Sequence, residues 1–396
     1  MSENIINEVK RVLKKICGEY GERLTGSIKN RQLEEYTKTY FEKNGYNVEL
    51  QGFSCIDWKE QGVELFCHGE SFAAKPSYYT KACQVEAEYV LLKSIEKLKK
   101  SRIKDKVAVL YGDLTAEQLM PKSFSFYNPE HHQEIIRLLE EKKPSAIVTI
   151  VDNDTSIFED GDFDIPSVYV TKEVGKKILN STGTINLSIK AERINSIGAN
   201  VIARINEDKE KKVVITAHLD TKYGTIGALD NGTGIAILLL LSRLIKVEMI
   251  NYCFELVLLN GEDYYSTPGQ VEYMNEYLGE DSDIVLAINC DGIGLKNSKT
   301  AIAMMELGEK ELLLREMIVG KENFEFIEPW VEGDHMLFLM NHIPAIVLTS
   351  KNIFRMIDSV IHTERDTLEL VDYNRVAEVV SFLEDFIKNT YRSITE

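Results

Sequence analysis

Positive charge is in short supply in this 396-residue chain, with 46 Lys and Arg against 63 Asp and Glu, a formal net charge of −17. Without a basic stripe to displace counterions, nucleic acid is excluded as a partner, and acidity of this size serves solubility. Long hydrophobic runs are missing too. The longest, Ile235–Leu244, is interrupted by Ser242 and Arg243 and reads as a buried helix, so no membrane partner is expected. The start, MSENIINEVKRV, has neither the apolar core nor the small-residue cleavage site of a secretory signal. Ile5, Ile6, Val9, Val12, Leu13 and Ile16 instead recur at helical spacing, and a cytoplasmic location is the expectation. The six cysteines (17, 55, 67, 83, 253 and 290) form no CxxC pair or zinc-finger spacing. They read as reduced, buried thiols, with Cys253 and Cys290 packed inside strands.

What is present is a large apolar fraction, 44%, enough for a sizeable core and two domains. Residues 1–60 begin with two helices. The second, Asn30 to Lys43, directs Leu33, Tyr36, Tyr40 and Phe41 inward, and Gly45 ends it as a left-handed cap. Tyr46–Phe53 alternates as a strand. Residues 61–190 form a separate small α/β module, with strands at Val107–Tyr111, Ala146–Val151 and Ile165–Val170 and a helix at His131–Lys142. Its acidic stretch Asp152–Asp164 lacks EF-hand spacing and reads as a solvated loop, and His131–His132 as surface. From residue 191 to 396 strands and helices alternate: VIARI, KVVITAHLD, CFELVLLN, DIVLAINCD and HIPAIVLTS are strands, GIAILLLLSRLI a helix, and Tyr373–Tyr391 a last helix. The pattern implies a mixed, largely parallel central sheet covered by helices on both faces.

The residues that carry chemistry follow apolar runs, where strands end and open α/β sheets build their sites. His218 closes Val213–Ala217, and Asp220 follows it. Taken alone, His218 is a hydrogen-bonded core histidine, and Asp230, before Asn231–Gly232–Thr233–Gly234, a helix cap. Glu262–Asp263, after the strand Leu256–Leu259, is more pointed, because two adjacent acids are costly to bury without a partner or a metal, the alternative being an exposed turn after Asn260–Gly261. Asp291 repeats the strand–carboxylate–glycine pattern, and His362 lies in a polar loop with Thr363, Asp366 and Thr367. Together, two histidines and several carboxylates suit zinc, with Asp230 able to bridge two ions that acidify a water and polarise a carbonyl.

The ordered set HxD, DNGTG, acid pair, NxDxIG and HTxxDT resembles the M28 family of zinc metallopeptidases, most of them aminopeptidases. ERLTGSIKNRQLEEYTKTYFEKNGYNVE and GDHMLFLMNHIPAIVLTS extend the resemblance to residues 10–55 and 195–392, and the module between them resembles a protease-associated domain. The resemblance implies a zinc-exopeptidase fold, peptide substrates and two zinc ions, replaceable by cobalt or manganese. It further implies that His218 and Asp291 each serve one ion, Asp230 bridges, Asp263 and His362 complete the shells, Glu262 is the general base and Asp220 supports His218.

Two features depart from the family pattern. Its usual Glu-Glu pair is Glu262–Asp263 here, and the missing methylene withdraws the second carboxylate by about an ångström against ligand distances that tolerate a few tenths. Tyr264–Tyr265–Ser266–Thr267–Pro268 replaces a glycine-rich continuation, so Tyr264, Tyr265 and also Trp330 are candidates to line a substrate pocket, with core packing an equal alternative for the two tyrosines. The same scaffold also serves carboxypeptidases, dipeptidases and other amide hydrolases, and a non-catalytic peptide-binding relative is a further alternative.

Overall fold

The computed structural model describes residues 3–152, 155–280, 282–308 and 311–390. Asn153 and Asp154 of the acidic loop and Tyr391 of the last expected helix lie outside them. In chain order the elements are α1 (Glu3–Leu13), α2 (Ile28–Lys43), β1 (Asn47–Cys67), β2 (Glu70–Phe72), β3 (Lys75–Pro76), β4 (Cys83–Leu92), α3 (Ile95–Lys100), β5 (Val107–Leu110), α4 (Glu130–Lys142), β6 (Ala146–Val151), β7 (Ser167–Thr171), α5 (Lys172–Leu179) and β8 (Thr184–Ile205). Then come β9 (Lys212–His218), α6 (Thr233–Leu244), β10 (Cys253–Leu259), α7 (Pro268–Tyr277), β11 (Ile284–Cys290), β12 (Thr300–Met305), α8 (Glu311–Ile318), β13 (Phe324–Phe326), α9 (His335–Leu339), β14 (Ala345–Ser350), α10 (Ile353–Ser359) and α11 (Tyr373–Asp385). Among the described residues no helix is long and apolar enough to cross a membrane.

The chain divides into a larger unit, residues 1–55 with 196–396, and a smaller one, residues 56–195. In the larger unit the strand order is β13-β12-β14-β11-β9-β10-β8. The central pairings β10–β9, β9–β11 and β11–β14 are parallel, and β12–β14 and β10–β8 are antiparallel. The expected mixed, largely parallel sheet is the one observed. Its central strands β9 and β10 are buried along their whole length, as strands covered on both faces must be. Helix α6 is buried from Thr233 through Ser242, with Ile235 through Leu239 fully so and Arg243 exposed at its end, which is why it reads as apolar on every side up to that point. Each such aliphatic side chain contributes roughly 1.5–3 kcal/mol of transfer free energy.

The smaller unit has β4, β5, β6 and β7 in parallel, with β3 antiparallel to β7. β8 is longer than the VIARI strand expected, because its two ends have different partners: Thr184–Ile189 pairs with β4, and Val201–Ile205 with β10. β1 likewise runs past Phe53.

Three local expectations need correction. The inward face of α2 buries Asn30, Glu34 and Thr37 beside Leu33 and Phe41, while Tyr36 and Tyr40 are half-buried. The polar groups tolerate burial because Asn30 pairs amide to amide with Asn260 and Glu34 accepts from Ala199 N–H at 3.0 Å. The acidic loop is not solvated throughout: Glu159 and Asp160 are buried, the first accepting from Gln118 and the second from the N–H groups of Lys122 and Asp162. His132 is buried too, because its Nδ1 accepts from Met120 N–H at 3.1 Å, and only His131 is on the surface.

Candidate metal centre

Three parallel strands in register deliver their carboxyl ends to one place. Leu259 of β10 lies opposite His218, the last residue of β9, and β11 flanks β9 on the other side. Asp220, Glu262–Asp263 and Asp291 therefore emerge together from the loops that follow. Asp230 arrives on a π turn, Ala228–Gly232, leading into α6, and His362 on the loop between α10 and α11.

Asp230 does not cap α6. Asn231 has that part: its Oδ1 accepts from Gly234 N–H at 2.9 Å and its Nδ2 donates to Cys290 O at 2.8 Å. Gly234 is required because a Cβ there would fall 2.3 Å from Asn231 Oδ1 and 2.4 Å from Cys290 O. The close approach brings α6 against the end of β11 and leaves the Asp230 carboxylate free to face the histidines.

Its two oxygens face different ones. Oδ1 is 2.8 Å from His218 Nε2, and Oδ2 is 3.1 Å from His362 Nε2. A second carboxylate backs each histidine: Asp291 Oδ1 lies 3.7 Å from His218 Nε2, and Asp263 Oδ1 3.1 Å from His362 Nε2. With zinc–ligand bonds of about 2.0–2.1 Å and tetrahedral angles, ligand atoms on one ion are roughly 3.3 Å apart. The four separations bracket that value, so the donor set suits zinc.

The shorter Asp263 reaches His362 because its loop is drawn inward. Asp220 accepts the N–H groups of Gly261, Glu262 and Asp263 at 2.9, 3.2 and 3.1 Å, and the Thr25 hydroxyl at 2.9 Å. Lys222 N–H in turn donates to Asp263 Oδ2 at 3.1 Å. Asp220 Oδ1 stands 3.7 Å from His218 Nδ1, beyond hydrogen bonding, and that buried nitrogen has no partner.

Electrostatics mark the cluster as short of cations. Desolvation opposes charge on the fully buried His218 and on the partly exposed His362, yet Asp291 beside the first and Asp263 beside the second, helped by Asp230, hold both well above the ordinary histidine range. Glu262 is pushed well above the carboxylate range by burial and by Asp263, Asp334 and Asp291, against His218. Asp291 is raised by burial, with His218 opposing. So many buried acids are costly without a positive charge among them.

Two carboxylates that the sequence did not single out belong to the surroundings. Asp366 accepts Leu229 and Asp230 N–H at 2.8 and 3.1 Å, fixing the Asp230 backbone, and burial pushes its carboxyl up to about 7. Its place in the HTERDT run was its only signal. Asp334 is buried, accepts from Gln270 at 2.6 Å, and is raised to about 7 by burial. Beside the centre is a cleft of about 140 Å³ into which Glu262 opens, walled by Trp330, Ile353, Ile357 and Ile361. Tyr264 and Tyr265 are packed in the core and do not line it.

The smaller unit holds another cluster with metal-binding residue types, Glu117, His131 and His132. The tautomer argues against an ion there. His132 Nδ1 is the acceptor for Met120 N–H, so the neutral ring carries its proton on Nε2, the atom facing Glu117.

Residues 200–387 match the model of peptidase family M28. No curated protein sequence matches the chain. Among solved structures, an aminopeptidase from Aneurinibacillus sp. strain AM-1 is 18% identical, with 97% of this chain and 93% of that one covered at a TM-score of 0.73. A zinc aminopeptidase from Bacillus subtilis is 16% identical, with coverages of 98% and 94% and a TM-score of 0.75. A glutaminyl cyclase from Tannerella forsythia is 12% identical, with coverages of 97% and 98% and a TM-score of 0.53. At these identities the likeness establishes the fold.

Proposed function

We propose that this chain, whose residues 200–387 match the model of peptidase family M28, is a member of that family and that its larger unit is a two-zinc aminopeptidase. The observation that carries this reading is the Asp230 carboxylate, whose oxygens face two different histidines, each backed by a further acid. His218, Asp291 and Oδ1 of Asp230 would hold one ion; His362, Asp263 and Oδ2 of Asp230 would hold the other. Bound zinc supplies Lewis acidity for the scissile carbonyl and acidifies a water.

The chain's own residues do the rest. Glu262 has its backbone tied down by Asp220 while its carboxylate opens into the cleft. From there it takes the proton of the attacking water on a carboxylate oxygen and returns it to the leaving nitrogen. Asp220 and Asp366 act on backbone, holding the acid loop and the bridging residue in place. The apolar wall from Trp330 to Ile361 suits leucyl and phenylalanyl residues as first test substrates.

The test is a panel of aminoacyl p-nitroanilides, free and N-acetylated, offered to apo, zinc-loaded and cobalt-loaded protein. Turnover of the free-amine series only after metal loading supports the reading. Equal turnover by EDTA-stripped protein, or hydrolysis of the N-acetylated series alone, overturns it.

A further inference from the structure

Arg23 is fully buried, with 0% of its surface exposed, and its guanidinium touches no carboxylate within ion-pair distance among the described residues. Every hydrogen bond of the guanidinium goes to a backbone carbonyl. Nε donates to Leu219 O at 2.7 Å, Nη1 to Gly21 O at 3.1 Å and Ile226 O at 2.6 Å, and Nη2 to Gly227 O at 3.0 Å. Three of those carbonyls belong to one loop, the one that leaves β9 at His218 and reaches Asp230. Leu219 sits between His218 and Asp220 at its start, and Ile226 and Gly227 precede the π turn that carries Asp230. Arg23 N–H also donates to Thr221 Oγ1 at 3.1 Å. The loop is fitted around the guanidinium: a Cβ on Gly227 would lie 3.1 Å from Nη2 and 2.2 Å from Asp230 O.

Resting on the metallopeptidase reading, we infer that Arg23 is a positioning residue for the metal centre, setting the distance between His218 and the bridging Asp230 by clamping both ends of their loop. A planar fork with donors on three nitrogens can hold carbonyls at separate points in fixed geometry, which a lysine ammonium cannot. The clamp matters to metal because ligand positions must hold within about 0.2 Å. It matters doubly at Asp230, which would serve both ions. The buried positive charge also faces Asp220, Asp366 and Asp230, so it offsets part of the repulsion within the acid cluster. Arg23 touches neither substrate nor reacting atoms in this role.

The experiment is zinc titration of the apo-protein against a competing chromophoric chelator, with thermal unfolding of each apo-variant in parallel. Arg23→Lys keeps the charge and removes the fork. Its zinc dissociation constant should rise about 10–100-fold, the usual effect of losing a group that orients ligands. At saturating zinc its KM for leucyl p-nitroanilide should stay near the parent's. An unchanged dissociation constant, whatever happens to the melting temperature, overturns the proposal and leaves Arg23 a purely structural residue. Should Arg23→Lys not fold, Arg23→Gln, which keeps a planar donor but not the three-nitrogen fork, is titrated in its place; weaker zinc binding there supports the proposal and unchanged binding overturns it. A parent protein that takes up no zinc defeats the metallopeptidase reading itself, an outcome distinct from parent binding that Arg23→Lys leaves untouched.

Discussion

Each unit of this protein ends a set of parallel strands in loops rich in charged residues, and the two ends differ in a way that volume alone would misjudge. In the smaller unit the loops after β5, β6 and β7 enclose a cleft of about 760 Å³, against about 140 Å³ beside the centre of the larger unit. The bigger cleft has its charges paired at the surface: Lys172 with Asp152 at 2.9 Å, Glu117 with His131 at 2.9 Å. The smaller one is lined by the buried Asp230 and the half-buried Glu262 and Asp291, with Asp220, Asp263 and Asp334 buried around it, so that acids outnumber the cations His218 and His362. Acids with paired partners in water cost little and do little; buried acids in excess of cations persist where a cation is to be bound. Placement at strand ends is necessary for such a site, and charge imbalance under burial is what distinguishes it.

The largest test of that contrast is removal of a ligand. His218→Ala should abolish turnover and lower zinc stoichiometry measured by metal analysis; a full zinc complement in the variant would break the comparison at its centre. Glu262→Gln should lower kcat by about 10²–10⁴-fold with zinc content retained, as loss of a general base does. Rates near the parent's would move that role elsewhere.

A subtler contrast lies between acids that await a cation and a buried acid that does not. Glu34 sits under the acid loop, bonded to Ala199 N–H and to Asn260 Nδ2 at 2.8 Å, and burial raises its carboxyl to about 7 from 4.5. A folded-state value above the unfolded one means that Glu34's contribution is intact below pH 4.5 and lost as pH climbs to 7. Glu34→Gln should therefore gain stability over the parent across that window, levelling off above it at up to about 3 kcal/mol. Chemical denaturation at a series of pH values checks this, and a gap that does not grow with pH would show Glu34 to be charged when folded.

The smallest effect is expected in the other unit. Glu117→Ala should leave zinc stoichiometry unchanged and shift stability by no more than about 1 kcal/mol, as exposed pairs do. Loss of bound zinc in that variant would make the surface cluster a second metal site and erase the distinction drawn here.

Much of the centre was legible in the sequence because strand-ending residues carry a local signature. An apolar run that stops at His218, Glu262 or Asp291 already says where the chain leaves the sheet, and parallel pairing then gathers those ends on one edge. The α/β class followed from the same alternation. Asp230 misled as a lone observation, since an acid before an apolar helix suggests a cap; Asn231 took that part only because Gly234 lets the helix approach Cys290. Asp366 and Asp334 were not separable from ordinary polar loop residues, because their importance lies in which backbone groups and charges happen to surround them.

The succession of strands along the chain, the apolar helix between β9 and β10 and the kinds of donor atom at the candidate centre were set by sequence alone, through periodicity and side-chain chemistry. Tertiary structure decided that Asp263, one methylene short, still reaches His362, that Asp220 spends both oxygens on the acid loop, and that a buried Arg23 donates to three carbonyls of the loop between His218 and Asp230. The division has a physical cause. Local patterns report which face of an element is buried, whereas separations of a few ångströms between distant residues depend on how loops close, and no local pattern encodes that.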